Sequence, residues 1–203
     1  MHCLGVLGGT FDPLHWAHLV IAEEARARFG LDKVLFVPAG QPPHKADYTV
    51  SDPEHRYAMA LLGTSTNPAF QVSRIEIERA GPSYSVDTVR QLREMHAPDV
   101  EIHLIIGADE ALDIPNWHEA ESLLDMVRLV VAPRPGSDLA ELKSRLPSRF
   151  YTAMQFLPML PIDISGTELR ARIASGKSVR YLVPDSVEVY IRKHGLYLEG
   201  EVR

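Results

Sequence analysis

Residues 8–18 read Gly8-Gly9-Thr10-Phe11-Asp12-Pro13-Leu14-His15-Trp16-Ala17-His18, between a short apolar run at 4–7 and a segment of helical period at 19–29. A strand that feeds a helix through a glycine-containing loop is how open parallel sheets build anion sites, because the helix amino terminus and its N–H groups face the ligand. Gly8 and Gly9 allow backbone N–H groups to come close to a phosphate. His15 and His18 are three apart, which on a helix puts them on one face near its positive end. Imidazoles there can donate hydrogen bonds to charge that grows during a transfer reaction. Blander readings stay open: a tight turn for the glycines, a helix cap for one histidine, a metal site for the HxxH pair. No carboxylate stands nearby at zinc-ligand spacing. The spacing is neither G-x-G-x-x-G nor G-x-x-x-x-G-K-[ST], which removes the common dinucleotide and P-loop alternatives.

Outward from this loop, apolar runs at 34–37, 102–106 and 129–132 alternate with helical stretches at 57–62 and around 119–124. That alternation predicts βαβ units, hence an α/β fold with a doubly wound parallel sheet of at least four central strands. Ser51-Asp52-Pro53-Glu54 and Ser165-Gly166-Thr167-Glu168 both read as capping boxes. A last helix is expected at about 186–194, with Gly195 as a left-handed stop. No repeat or linker divides the chain, so a single domain over 1–203 is expected. Its helical carboxyl-terminal part starts at about residue 163 and packs on the edge or carboxyl end of the sheet. Glu76 and Glu78 read as outward positions of a strand whose inner positions are Ile75 and Ile77. Glu23, Glu24, Arg26 and Arg28 read as the wet face of the first helix, and His55, His96 and His103 receive no role.

Composition narrows the function. The 203 residues carry 27 acidic and 21 basic side chains, a formal net charge of −6, which argues against a nucleic-acid partner. With 45% hydrophobic and 24% charged residues the chain is that of an ordinary globular protein. The one cysteine, Cys3, allows no internal disulfide and points to a reducing, cytoplasmic setting. No signal-like start and no run of membrane-spanning length is present, so no membrane association is expected.

The opening string resembles the phosphate-binding signature of the nucleotidyltransferase superfamily, G-x-F-x-P-x-H-x-G-H, matched here by Gly9, Phe11, Pro13, His15 and His18. Ala17 stands where that pattern has Gly. The second signature, I-S-x-T-x-x-R, appears as Ile164-Ser165-Gly166-Thr167-Glu168-Leu169-Arg170. Taken alone, the latter is only a capped helix with an arginine one turn in. Within the superfamily the chain resembles the bacterial nicotinate-nucleotide adenylyltransferases over nearly its whole length. The stretches that carry this are Pro42-Pro43-His44-Lys45, Gly81-Pro82-Ser83-Tyr84-Ser85, Ile105-Ile106-Gly107-Ala108-Asp109, Pro115-Asn116-Trp117-His118, Arg134-Pro135-Gly136 and His194-Gly195-Leu196-Tyr197.

The resemblance implies a Rossmann-like nucleotidyltransferase fold and transfer of AMP from ATP to nicotinic acid mononucleotide. It implies ATP contacts at Gly8, Gly9, Thr10, Phe11, His15, His18, Gly107, Asp109, Ser165, Thr167 and Arg170, with His18 and His15 catalytic. It implies acceptor contacts at His44, Lys45, Tyr84, Ser85, Trp117, His118 and Arg134. Trp117 would stack on the pyridine ring, and backbone N–H groups near Ser85 and His118 would hold the nicotinate carboxylate. Mg²⁺ is expected on the ATP phosphates, with no protein metal site. Homo-oligomerisation is left open. The runner-up is a sister transferase with another phosphorylated acceptor; intact His15, His18 and Arg170 argue against a nucleotide-binding regulatory module, and the spacing of Gly5, Gly8 and Gly9 argues against a dinucleotide-dependent oxidoreductase.

Overall fold

Alternation of side chains along buried strands decides which face each residue covers. Leu4 and Val6 of β1 (Cys3–Gly9), Leu35 and Val37 of β2 (Lys33–Pro38), Ile102, Leu104 and Ile106 of β4 (Glu101–Gly107) and Leu129 and Val131 of β5 (Arg128–Ala132) enter one core. The alternate residues Leu7, Val34, Phe36, Ile105, Val130 and Ala132 enter a second core on the other face. The computed structural model, which describes residues 2–42, 50–133, 139–160 and 162–198, places these strands in one parallel sheet of order β3-β2-β1-β4-β5-β6. The outer strands are β3 (Phe70–Val72) and β6 (Met154–Phe156). The sequence reading did not foresee them, because three residues give too short a period to recognise.

Helices α3 (Ser85–Met95), α4 (Ala108–Asp113), α5 (Ala120–Met126), α6 (Leu139–Arg145) and α7 (Ser148–Ala153) lie on the first face and α1 (Trp16–Phe29) on the second. A third cluster joins α2 (Pro53–Thr64), α8 (Gly166–Ala174) and α9 (Asp185–His194) through Met59, Leu169, Val187 and Ile191. Gly63 lets α2 pack closely against both Leu14 and α9: a Cβ there would lie 2.2 Å from the Leu14 side chain and 3.3 Å from that of Val187. The chain order reverses between β1 and β4, which are neighbours. Doubly wound sheets open a crevice at such a point, at the carboxyl ends of the strands.

Several local expectations hold. Ser165 caps α8 by accepting from the Glu168 N–H, and Gly195 ends α9 at φ 64°. Two do not. The cap of α2 is Asp52, whose carboxylate accepts from the Glu54 N–H, while the Ser51 N–H donates to Asp12. Residues 74–79 form turns and not a strand, and Glu76 is buried at 7% exposure. The period-two pattern there came from a compact turn whose Glu76 side chain folds inward onto the Thr88 hydroxyl, which donates at 2.6 Å.

Candidate active site

The crevice at the carboxyl ends of β1 and β4 is a cleft of about 570 Å³. Four helix amino termini open into it. His15 caps α1, Tyr84 caps α3, Gly107 caps α4 and Ser165 caps α8, and all four residues line the cleft. A helix start carries the equivalent of about half a positive charge, so four of them facing one cleft favour an anion there in an otherwise acidic chain. Every described residue that the sequence assigned to a site lines this cleft: Gly8, Gly9, Thr10, Phe11, His15, His18, Tyr84, Ser85, Gly107, Asp109, Trp117, His118, Ser165, Thr167 and Arg170. His44, Lys45 and Arg134 lie outside the described residues.

The histidine pair is arranged differently from two residues on one helical face. His15 is the extended cap of α1, at φ −143°, and His18 is in its first turn. Their rings stack with centroids 3.7 Å apart. The His15 N–H donates to His18 Nδ1 at 3.2 Å. An Nδ1 that accepts leaves the proton of a neutral imidazole on Nε2, so His18 presents a donor there. The Phe11 ring meets His18 edge-on at 5.0 Å and is itself buried at a positive φ of 51°. A bulky residue in the left-handed region persists only where surrounding packing fixes it.

Further residues hold the loop in place, and apart from Arg170 sequence reasoning missed them. Asp12 is buried; the Tyr197 hydroxyl donates to its Oδ1 at 2.6 Å and the Ser51 N–H to its Oδ2 at 3.2 Å. Arg170 donates to the Asp12 carbonyl at 2.7 Å and to the Thr167 hydroxyl at 3.3 Å. A Cβ on Gly166 would lie 3.0 Å from that same carbonyl, so glycine lets α8 approach the phosphate loop. Arg56, 1% exposed, donates to the carbonyls of Ser51, Thr10 and Gly40 and so ties three loops together. Nothing in an amphipathic helix distinguishes this arginine from a solvated one. On the other wall, Ser83 Oγ accepts from the N–H groups of Gly40 and Gln41, and Glu76 receives Thr88. Burial raises the Glu76 carboxyl above its ordinary value. The Tyr84 and His118 rings meet at a tilt of 32° with centroids 4.5 Å apart, and Trp117 stands partly buried at the edge of the first core.

The Asp12–Tyr197 contact yields a stability prediction. Tyr197→Phe leaves a buried carboxylate oxygen short of its donor and should cost about 1–3 kcal/mol in urea unfolding. Burial, then the Asp12 carboxylate, hold the Tyr197 phenol well above its ordinary value. A raised acid stays protonated in the folded state, so its contribution is complete below about pH 10 and is lost as pH rises further. Unfolding of the wild type above that pH should therefore be steeper in pH than that of Tyr197→Phe; parallel curves would disprove the coupling.

The comparisons with known proteins agree with this geometry. The cytidylyltransferase-like family model matches residues 6–172. The chain is 46% identical over 197 residues to a probable nicotinate-nucleotide adenylyltransferase of Moorella thermoacetica, covering 96% of this chain and 91% of the relative. It is 44% identical over 201 residues to one from a Thermoanaerobacter species, covering 98% and 95%. In fold it is similar to Plasmodium falciparum nicotinic acid mononucleotide adenylyltransferase complexed with NaAD, at TM-score 0.79 and 17% identity, covering 97% and 98% of the two chains. The cleft, the two signatures and these relatives together place the chain in the cytidylyltransferase-like family, among the nicotinate-nucleotide adenylyltransferases.

Proposed function

We propose that the cleft transfers AMP from ATP to nicotinic acid mononucleotide, releasing pyrophosphate and forming nicotinic acid adenine dinucleotide in NAD biosynthesis. One observation carries the reading: four helix amino termini converge beside a stacked histidine pair at the sheet's switch point. The acceptor phosphate attacks the α-phosphorus, the bond to the bridging oxygen breaks, and the electron pair leaves with pyrophosphate. No side chain need be adenylylated, and positioning with charge stabilisation supplies the rate.

In this assignment the N–H groups of Gly8, Gly9 and Thr10 approach the phosphates, and Phe11 fixes the loop beneath them. His18 Nε2–H donates to the α-phosphate as its charge grows, and His15 holds His18 and a phosphate oxygen. Ser165, Thr167 and Arg170 grip the leaving pyrophosphate, while Gly107 and Asp109 take the adenosine. Tyr84, Ser85, Trp117 and His118 receive the nicotinate ring, with His44, Lys45 and Arg134 on the acceptor phosphate. Mg²⁺ fits as an ion carried by ATP: among the described residues no three metal-ligating side chains converge in the cleft, and the Asp12 carboxylate is engaged by Tyr197 and Ser51. When bound, it neutralises part of the phosphate charge.

The described helices include none long and apolar enough to cross a membrane. We place the enzyme in the cytoplasm as one domain, with α8 and α9 packed on α2 beside the phosphate loop and no nucleic-acid partner. A panel of phosphorylated acceptors with ATP and Mg²⁺, followed by pyrophosphate release, tests the reading: nicotinic acid mononucleotide should give the highest kcat/KM, and preference for a non-pyridine acceptor would overturn it.

Arg170→Ala should raise the KM for ATP more than that for the mononucleotide, since Arg170 sits on α8 and also braces Asp12. Separate titrations decide. A loss confined to mononucleotide binding would move Arg170 to the acceptor side.

A further inference from the structure

At the opposite end of the sheet from the cleft, the amino-terminal residues of β1 and β4 bring three ligand types together. Cys3 pairs with Glu101 in register, and His103 follows two residues later on the same face. One ligand atom from each of Cys3, Glu101 and His103 lies within 4.8 Å of the others. His103 is 6% exposed, and its Nδ1 is buried with no hydrogen-bond partner among the described residues. Buried polar atoms are nearly always satisfied, so this imidazole is poised for a partner that the described residues do not supply.

We propose that Cys3, Glu101 and His103 form a site for one zinc-class divalent cation. Thiolate, imidazole and carboxylate are the zinc donor set, and bonds of about 2.0–2.3 Å put tetrahedral ligand atoms about 3.4–3.7 Å apart. The observed spacing closes to that with a shift of about an ångström. Arg128, opposite His103 on β5, donates through Nε to the Glu101 carboxylate and orients it. Its charge opposes a cation, and Asp32, whose carboxylate accepts from the His2 and Cys3 N–H groups, offsets it. The carboxylates of Glu101 and Asp32 beside Cys3 favour a bound dication, and the thiol proton is released to solvent when the thiolate binds it. A fourth position is left for water.

Chelator-treated full-length protein is titrated with Zn²⁺ against a chromophoric chelator, and with Co²⁺ as a spectroscopic probe. One equivalent should bind, with a thiolate-to-cobalt charge-transfer band and a zinc-dependent rise in Tm. Cys3→Ser changes one atom and should abolish the band and weaken zinc at least about a hundredfold, given that even partners outside the ligand set are worth about 10–100-fold. His103→Gln should weaken zinc comparably, and adenylyl transfer by Cys3→Ser should match wild type, since the site is remote from the cleft. Absence of micromolar zinc binding would overturn the proposal. So would stoichiometric binding that lacks the charge-transfer band or survives Cys3→Ser, because the ion would then sit elsewhere.

Discussion

His18→Ala is expected to lower kcat by about two to three powers of ten while leaving the KM for ATP within a few-fold, the signature of a donor used mainly in the transition state. The geometry gives the reason. The His15 N–H occupies His18 Nδ1, which fixes the tautomer with its proton on Nε2, and the stacked His15 ring and edge-on Phe11 fix the plane of the imidazole. A donor held in advance needs no reorganisation as charge develops. His18→Gln, which keeps a donor on a more flexible stem, should recover part of the loss. Turnover of His18→Ala close to wild type would reduce this residue to a helix-start contact.

The second large effect concerns the acceptor. The cleft wall beside Trp117 presents Tyr84, Ser85 and His118, and it contains no lysine or arginine among the described residues. Arg170 belongs to the other wall, on α8. A pyridine carboxylate at the first wall meets the amino terminus of α3, whose first residue is Ser85. Carboxylate oxygens accept from such N–H groups, whereas an amide turns its own NH₂ toward at least one of them. One mismatched buried pairing costs about 1–3 kcal/mol, or roughly tenfold to over a hundredfold in kcat/KM between the nicotinate and nicotinamide mononucleotides. Trp117→Ala should weaken both alike by removing stacking. Equal efficiency on the two acceptors in the wild type would refute the backbone-donor account, and loss of discrimination in Trp117→Ala would assign the reading to the indole.

What the sequence made legible has a physical pattern. The central strands were readable because burial on both faces makes them continuous apolar runs, and the start of α8 because its cap is local chemistry. Gly8 to His18 was readable as an anion site for the same reason, a short stretch whose residues act within a few positions of each other; Ser165 to Arg170, alone only a capped helix, entered the site through the resemblance. The supports were not. Tyr197 meets Asp12 across 185 positions and Arg170 meets the Asp12 carbonyl across 158, distances that no local period encodes. Arg56 and Glu76 carry the residue types of a solvated surface, and only the folded loops show them buried. Short β3 and β6 likewise depend on their neighbours and not on their own pattern.

Direct transfer within one cleft is tested most closely by a single-turnover experiment with α-labelled ATP. Enzyme, Mg²⁺ and labelled ATP are incubated first without acceptor, and nicotinic acid mononucleotide is then added. Direct attack predicts no label on protein and no pyrophosphate in the first phase, then labelled dinucleotide and pyrophosphate appearing together, one for one. Labelled protein or pyrophosphate release before the acceptor is present would contradict it.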